Sequence, residues 1–253
     1  MLSLERNGPV ATITMSRAPA NAWSEELITR FENLLAEIAD HPDVSVIHLR
    51  SDQKIFCAGA DLAFMRTCFS TPDGPEVMLE LVRRMQRLFV RIETAPVISI
   101  AEIGGAALGG GLELALACDL RIAATEAKLG LPEVRLGLLP GAGGTQRLAR
   151  LCGHGIAKRL ILGAEVLDGA QAERLGIVQW AHPRQELAER TRDLATHLAS
   201  MPKAALAAAK SCIAAQGIPA RDGYAEEISR TRLLYNNPAS RRRVSEFLDR
   251  NPG

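Results

Sequence analysis

The chain has 253 residues, 47% of them apolar and 23% charged, with a formal net charge of +1. That length holds one large core with room for a helical appendage, and that composition excludes wholesale disorder. The near-neutral balance gives no electrostatic reason to expect nucleic acid or an anionic membrane as partner. Val10–Met15 alternates apolar residues with threonine, as a half-buried strand does. Ser24 caps a predicted helix running to Ala39, with Glu25 and Glu26 at its positive end. Val44–Leu49 reads as a strand, and Val97–Ala101 as another behind Pro96. Between them, Pro75 to Glu93 has helical spacing, with Val77, Leu81, Met85, Leu88 and Ile92 along one side. A helix over Gly109–Ala117 opens on glycines and is followed by a strand over Leu120–Ala124. From Leu148 onward the pattern is helical, apart from a short strand near Ile177–Trp180, with Pro202 and Pro238 as punctuation. Strands alternating with helices predict an α/β core, and the last third predicts a helical C-terminal segment.

The five cysteines, at 57, 68, 118, 152 and 212, are scattered and never spaced as CxxC. Neither a disulfide framework nor a zinc site is expected. The five histidines form no HxxxH or HExxH pattern, so no metal is expected. The opening MLSLERNGPVATITMSR is not a charged leader followed by a long apolar core, and no run approaches a membrane span. These features favour the cytoplasm.

The chemistry-bearing residues lie in glycine- and leucine-rich stretches. Glu113 sits in GGAALGGGLELALACD and Glu133 in LGLPEVRLGLLPGAGGTQRL. Carboxylates are rarely placed in apolar company unless they are paired or used. Taken singly, Glu113 reads as a helix residue meeting a buried arginine, and Glu133 as a loop residue paired with Arg135 or Arg147. KIFCAGADL places small residues after Phe56, where backbone N–H groups can point outward unobstructed. Gly109-Gly110-Gly111 precede an apolar helical run whose first N–H groups are free to hold negative charge. Neither a dinucleotide-binding GxGxxG fingerprint nor a GxxxxGK[ST] phosphate loop is present. Two small-residue loops and two flanked glutamates together make a set for enolate chemistry. The N–H pair polarises a carbonyl such as a thioester's, and the carboxylates move protons at adjacent carbons.

FCAGADL, GGAALGGGLELALACDLRIAA, LGLPEVRLGLLPGAGGTQRL and LDGAQAERLGIV, in that order, resemble the enoyl-CoA hydratase/isomerase (crotonase) superfamily. The resemblance is strongest over residues 50–180. It implies a spiral of ββα units over 1–195 and a C-terminal helical segment over 196–253 that mediates trimerisation, with trimers often stacked into a hexamer. The implied substrate is an acyl-CoA thioester, of which coenzyme A is a part, with no separate cofactor. Carried over residue by residue, Ala60 and Gly110 N–H groups would form the oxyanion hole. Ala58 would offer its backbone to the adenine, and Asp61 and Leu62 would border the thioester. Glu113 would be the base for water adding at C3, and Glu133 the proton donor to C2.

Ala63 stands where many hydratases carry a lysine for coenzyme A phosphates. The row Arg83, Arg87 and Arg91 has the spacing of a helix face near the ligand, but reads better as a solvated cationic face. Arg241–Arg243 replace part of a segment near the acyl pocket or a trimer contact. The N-terminal SRAPANAWS is abbreviated, with Trp23 read as packing. The rival within the superfamily is a double-bond isomerase using Glu133 alone, and other acyl-CoA lyases of this fold rank lower. RNA binding is disfavoured by the acidic first helix, SEELITRFENLLAEIAD. A catalytically silent scaffold is disfavoured by the presence of both glutamates.

Overall fold

Parallel strand pairing dominates the core, as alternation of strand and helix requires. The computed structural model of the chain describes residues 1–216 and 218–250; Gly217 and residues 251–253 of the C-terminal segment lie outside the described residues. A six-stranded sheet contains β1 (Leu2–Asn7), β2 (Val10–Met15), β3 (Val46–Ser51), β4 (Ile98–Ile103), β6 (Leu120–Ala124) and β9 (Trp180–His182), in that spatial order. Only β1 pairs antiparallel within it. A second sheet of three short strands joins β5 (Ala107–Leu108), β7 (Lys128–Gly130) and β8 (Val166–Asp168), in the order β5-β7-β8.

Helix α1 (Glu25–Ala39) starts where Ser24 accepts from the Leu27 N–H. It buries Leu27, Ile28, Phe31, Leu34, Leu35 and Ile38, each stabilising by about 1.5–3 kcal/mol on area grounds. Asp61 caps the short α2 (Leu62–Cys68). The long α3 (Gly74–Thr94) buries Leu81, Met85, Leu88, Phe89 and Ile92, while Val77 is half-buried. Arg83 and Arg87 on its outer side both pair with Glu80, so this row is a solvated face. Helix α4 (Gly110–Ala117) is buried along its whole length. After α5 (Gly144–Leu162), which breaks at Gly153, come α6 (Gly169–Arg174), α7 (Arg184–Ala199), α8 (Lys203–Ala215), α9 (Gly223–Asn236) and α10 (Pro238–Arg250). All five cysteines are free, and burial pushes the Cys57 and Cys118 thiols up to about 12. Among the described residues no cluster could hold a metal, and no helix is long and apolar enough to cross a membrane.

Several boundaries differ from those the sequence suggests, for local reasons. Val44 and Ser45 belong to the approach to β3: their N–H groups donate to His41 O and Pro9 O before the ladder begins. Ile177 and Val178 are not a strand; both donate to Ala172 O in the turn closing α6, and the strand starts at Trp180. β1 escapes the apolar alternation test because it is an edge strand with only Leu2 buried.

Candidate active site

The first loop of the site, residues 57–61, is held by a residue that the sequence reading passed over. Asn21 is fully buried and donates Nδ2 to Phe56 O at 2.9 Å and to Ser51 Oγ at 2.8 Å. Its Oδ1 accepts from the Arg17 N–H at 2.7 Å. A polar residue three places before a helix N-cap is a weak signal; only the fold gives it these partners. Ala58 N–H donates to Ala20 O at 3.0 Å, which leaves its carbonyl as the backbone group it can offer. Trp23 N–H donates to Gly59 O at 2.9 Å, forming a bridge opposite Ala60 that leaves the Ala60 N–H outside it.

The second loop lies directly on the first. Leu108 N–H donates to Cys57 O at 3.0 Å. A Cβ on Gly59 would meet Leu108 O at 2.9 Å and Gly110 N at 3.2 Å. Gly109 has φ 53° and ψ −127°, a conformation that disfavours any side chain. Gly110 opens α4, so its N–H has no partner within the helix. Trp23 packs between Phe31 and Phe89, with ring centroids 5.7 and 5.3 Å away, as its packing role requires. It also backs the second loop, since a Cβ on Gly110 would lie 2.9 Å from its Cδ1.

Both glutamates are tied to the second loop, Glu113 through its N–H to Gly109 O at 3.0 Å and Glu133 through its carboxyl. Glu113, in the first turn of α4, is 2% exposed. Its Oε1 accepts from the N–H of Gly144, the first residue of α5, at 2.7 Å. Parallel pairing of β5 with β7 sets Leu108 opposite Gly130, and Gly109 N–H donates to Gly130 O at 3.0 Å. Three residues further on, Glu133 heads a single 3₁₀ turn over Glu133–Leu136. Its Oε1 hangs over Gly109, where a Cβ would approach within 2.9 Å. Its Oε2 is buried without a hydrogen-bond partner.

Among the described residues neither carboxyl meets an arginine as an ion pair. Arg147 pairs with Glu93, and Arg135 donates to Ala164 O. Burial therefore dominates at both carboxyls, opposed at Glu113 only in part by the charge of Arg147. It pushes Glu113 up to about 7, opposed by the Gly144 N–H and reinforced by the nearby charge of Glu133. Burial raises Glu133 as well.

Asp61 has other work. Its carboxylate accepts from Ala63 and Phe64 N–H groups and pairs with Arg17 at 3.1 Å, which holds it below the usual carboxylate range. Leu62 beside it is 63% exposed.

The geometry defines a class: two small-residue loops in contact, with two desolvated carboxyls beside the second of them, an arrangement able to move protons next to a bound carbonyl. The profile of the enoyl-CoA hydratase/isomerase family matches residues 5–245, and the chain belongs to that family. It is 36% identical over 251 residues to a probable enoyl-CoA hydratase of Bacillus subtilis, covering 98% of this chain and 96% of that one. It is also 36% identical over 212 residues to the short-chain-enoyl-CoA hydratase of Clostridium acetobutylicum, covering 83% and 79% of the two. The crystal structure of an enoyl-CoA hydratase from Bacillus anthracis superimposes with a TM-score of 0.91 at 33% identity, covering 98% of this chain and 96% of that one. The fold is thus the crotonase fold.

Proposed function

We propose that the chain hydrates 2-enoyl-CoA thioesters to 3-hydroxyacyl-CoA. The observation that carries this reading is a pair of desolvated carboxyls beside the second loop, neither in an ion pair with arginine: Glu133 Oε1 lies over Gly109, and its charge reaches Glu113 on the helix that this loop opens. Ala60 and Gly110 N–H groups hold the thioester oxygen. Glu113 takes a proton from water as the water oxygen bonds to C3. The C2–C3 π electrons move into the enolate, and Glu133 returns a proton to C2. The hydrogen-bond asymmetry supports this division of labour. Gly144 N–H opposes the burial that pushes Glu113 up to about 7, which leaves an ionised fraction of Glu113 to act as base near neutral pH, whereas the unpartnered Oε2 of Glu133 has no such donor. In this reading Ala58 offers its backbone carbonyl to the adenine amino group.

Glu133→Gln is expected to lower hydration of crotonyl-CoA by about 10²–10⁴-fold while the thioester still binds. Loss of absorbance of the conjugated thioester measures the rate, and full activity in this variant would sink the reading. An isomerase needs only the carboxyl at Glu133, shuttling a proton between C2 and C4, so the presence of Glu113 favours hydration. Incorporation of oxygen from labelled water into the product separates the two reactions. Rates across thioesters from crotonyl to decenoyl then rank acyl length.

A homotrimer or a dimer of trimers in the cytoplasm fits the same reading. Helices α9 and α10 bury no residue in the single chain, and they expose Tyr224, Ile228, Leu233, Val244 and Leu248. Sedimentation equilibrium is expected to give a multiple of three chains, and a monomer would remove this part of the proposal.

A further inference from the structure

The turn Gly141–Gly144, whose last N–H reaches Glu113, is itself gripped from outside the reaction centre. Gln86 on α3 donates Nε2 to Gly141 O at 2.6 Å. Arg147 on α5 folds back over the turn, and its Nη1 donates to Ala142 O at 3.0 Å. Its Nη2 and Nε donate to Glu93 Oε2, near the end of α3, at 2.9 and 3.2 Å. The Arg147 side chain is 7% exposed and that of Glu93 35%. Packing against the turn is close: a Cβ on Gly143 would lie 2.2 Å from Arg147 Nη1. Arg150 also approaches Glu93, at 3.9 Å. The charged groups facing Glu113 are Glu133 from the 3₁₀ turn and Arg147 from α5.

We propose that Arg147 and Glu93 are positioning residues for Glu113, fixing the Gly141–Gly144 turn so that the Gly144 N–H holds the carboxylate toward the substrate. The planar fork of an arginine can serve a backbone carbonyl and a carboxylate at once, which the single ammonium of lysine does less well. The proposal rests on the reading of Glu113 as the base.

A purely structural fastener between α3 and α5 would change stability alone. The positioning role predicts opposite effects on the acidic limb of the kcat profile. Arg147→Gln removes a cation facing Glu113 and loosens the turn, so the limb moves to higher pH. Glu93→Gln leaves Arg147 charged beside a neutral partner, so the limb moves to lower pH. In Arg147→Gln, kcat falls roughly tenfold with KM changed less than about twofold, and Arg147→Lys restores the limb but not the full kcat. The carboxyl ¹³C resonance of Glu113 is expected to titrate with the same opposite displacements in the absence of substrate. That readout stands even if the wild-type protein hydrates nothing, which would overturn the proposed function instead. If Arg147→Gln does not fold, Glu93→Gln decides by the same resonance. Limbs and resonances that coincide with those of the wild type overturn the proposal.

Discussion

Glu113→Gln is expected to lower hydration of crotonyl-CoA by about 10³-fold or more and, in the same protein, to raise stability at alkaline pH. The first effect follows from removing the carboxylate proposed as the base that activates water. The second follows from linkage. Glu113 has its pKa raised from 4.5 to about 7 by burial. The folded state therefore favours the protonated carboxyl, and the unfolded state releases the proton more easily. The stabilisation from this group is complete below the unfolded pKa and is lost as pH rises through the folded one. Between about pH 5 and pH 8.5 the wild-type protein should lose up to roughly 3 kcal/mol through Glu113. The neutral amide has no such slope, although it still offers an oxygen to the Gly144 N–H. Urea unfolding of both proteins at the two pH values measures the difference. A gap between them that does not widen with pH means that Glu113 is not held in a desolvated state.

The second large effect is expected at Gly111. A Cβ there would lie 2.1 Å from Cys57 O and 2.7 Å from Cys57 C, both backbone atoms that no rotamer change can move. Gly111→Ala must therefore push the start of α4 away from the 57–61 loop, separating the two N–H groups. The expected loss is about 3 kcal/mol or more of stability, with hydration lost alongside it. Gly155→Ala is the control. It lies in the second half of α5 with nothing within 4 Å of an added Cβ. There the substitution should be neutral or stabilising by up to about 1 kcal/mol, because alanine favours the helix. Thermal unfolding of the pair decides. A Gly111→Ala midpoint equal to that of wild type would show that the two loops do not touch.

The elements that the sequence revealed are those whose burial is one-sided and regular. Ser24 and the six buried residues of α1 carry a helical period, and Val10–Met15 alternates buried with half-buried residues at a strand's period of two. Those it concealed draw their stability from partners distant in the chain. β5, β7 and β8 are two or three residues long and exist because they pair with one another. α2 is set by the Asp61 cap, and neither its length nor its apolar content announces it.

The site divides along the same line. Glu113 and Glu133 were legible because ionisable side chains in glycine- and leucine-rich surroundings are chemically out of place, and the motifs around them identify the family. Sequence alone left each carboxylate free to pair with a neighbouring arginine. Tertiary structure removed that option by committing Arg147 to Glu93 and Arg135 to Ala164 O. It also gave Asp61 to Arg17 and a helix cap, and it gave Asn21 the 57–61 loop to anchor. Residue type thus determined which groups could do chemistry. Which of them remain unpaired and face each other depended on strand register and helix packing, because hydrogen-bond partners are assigned in space and not along the chain.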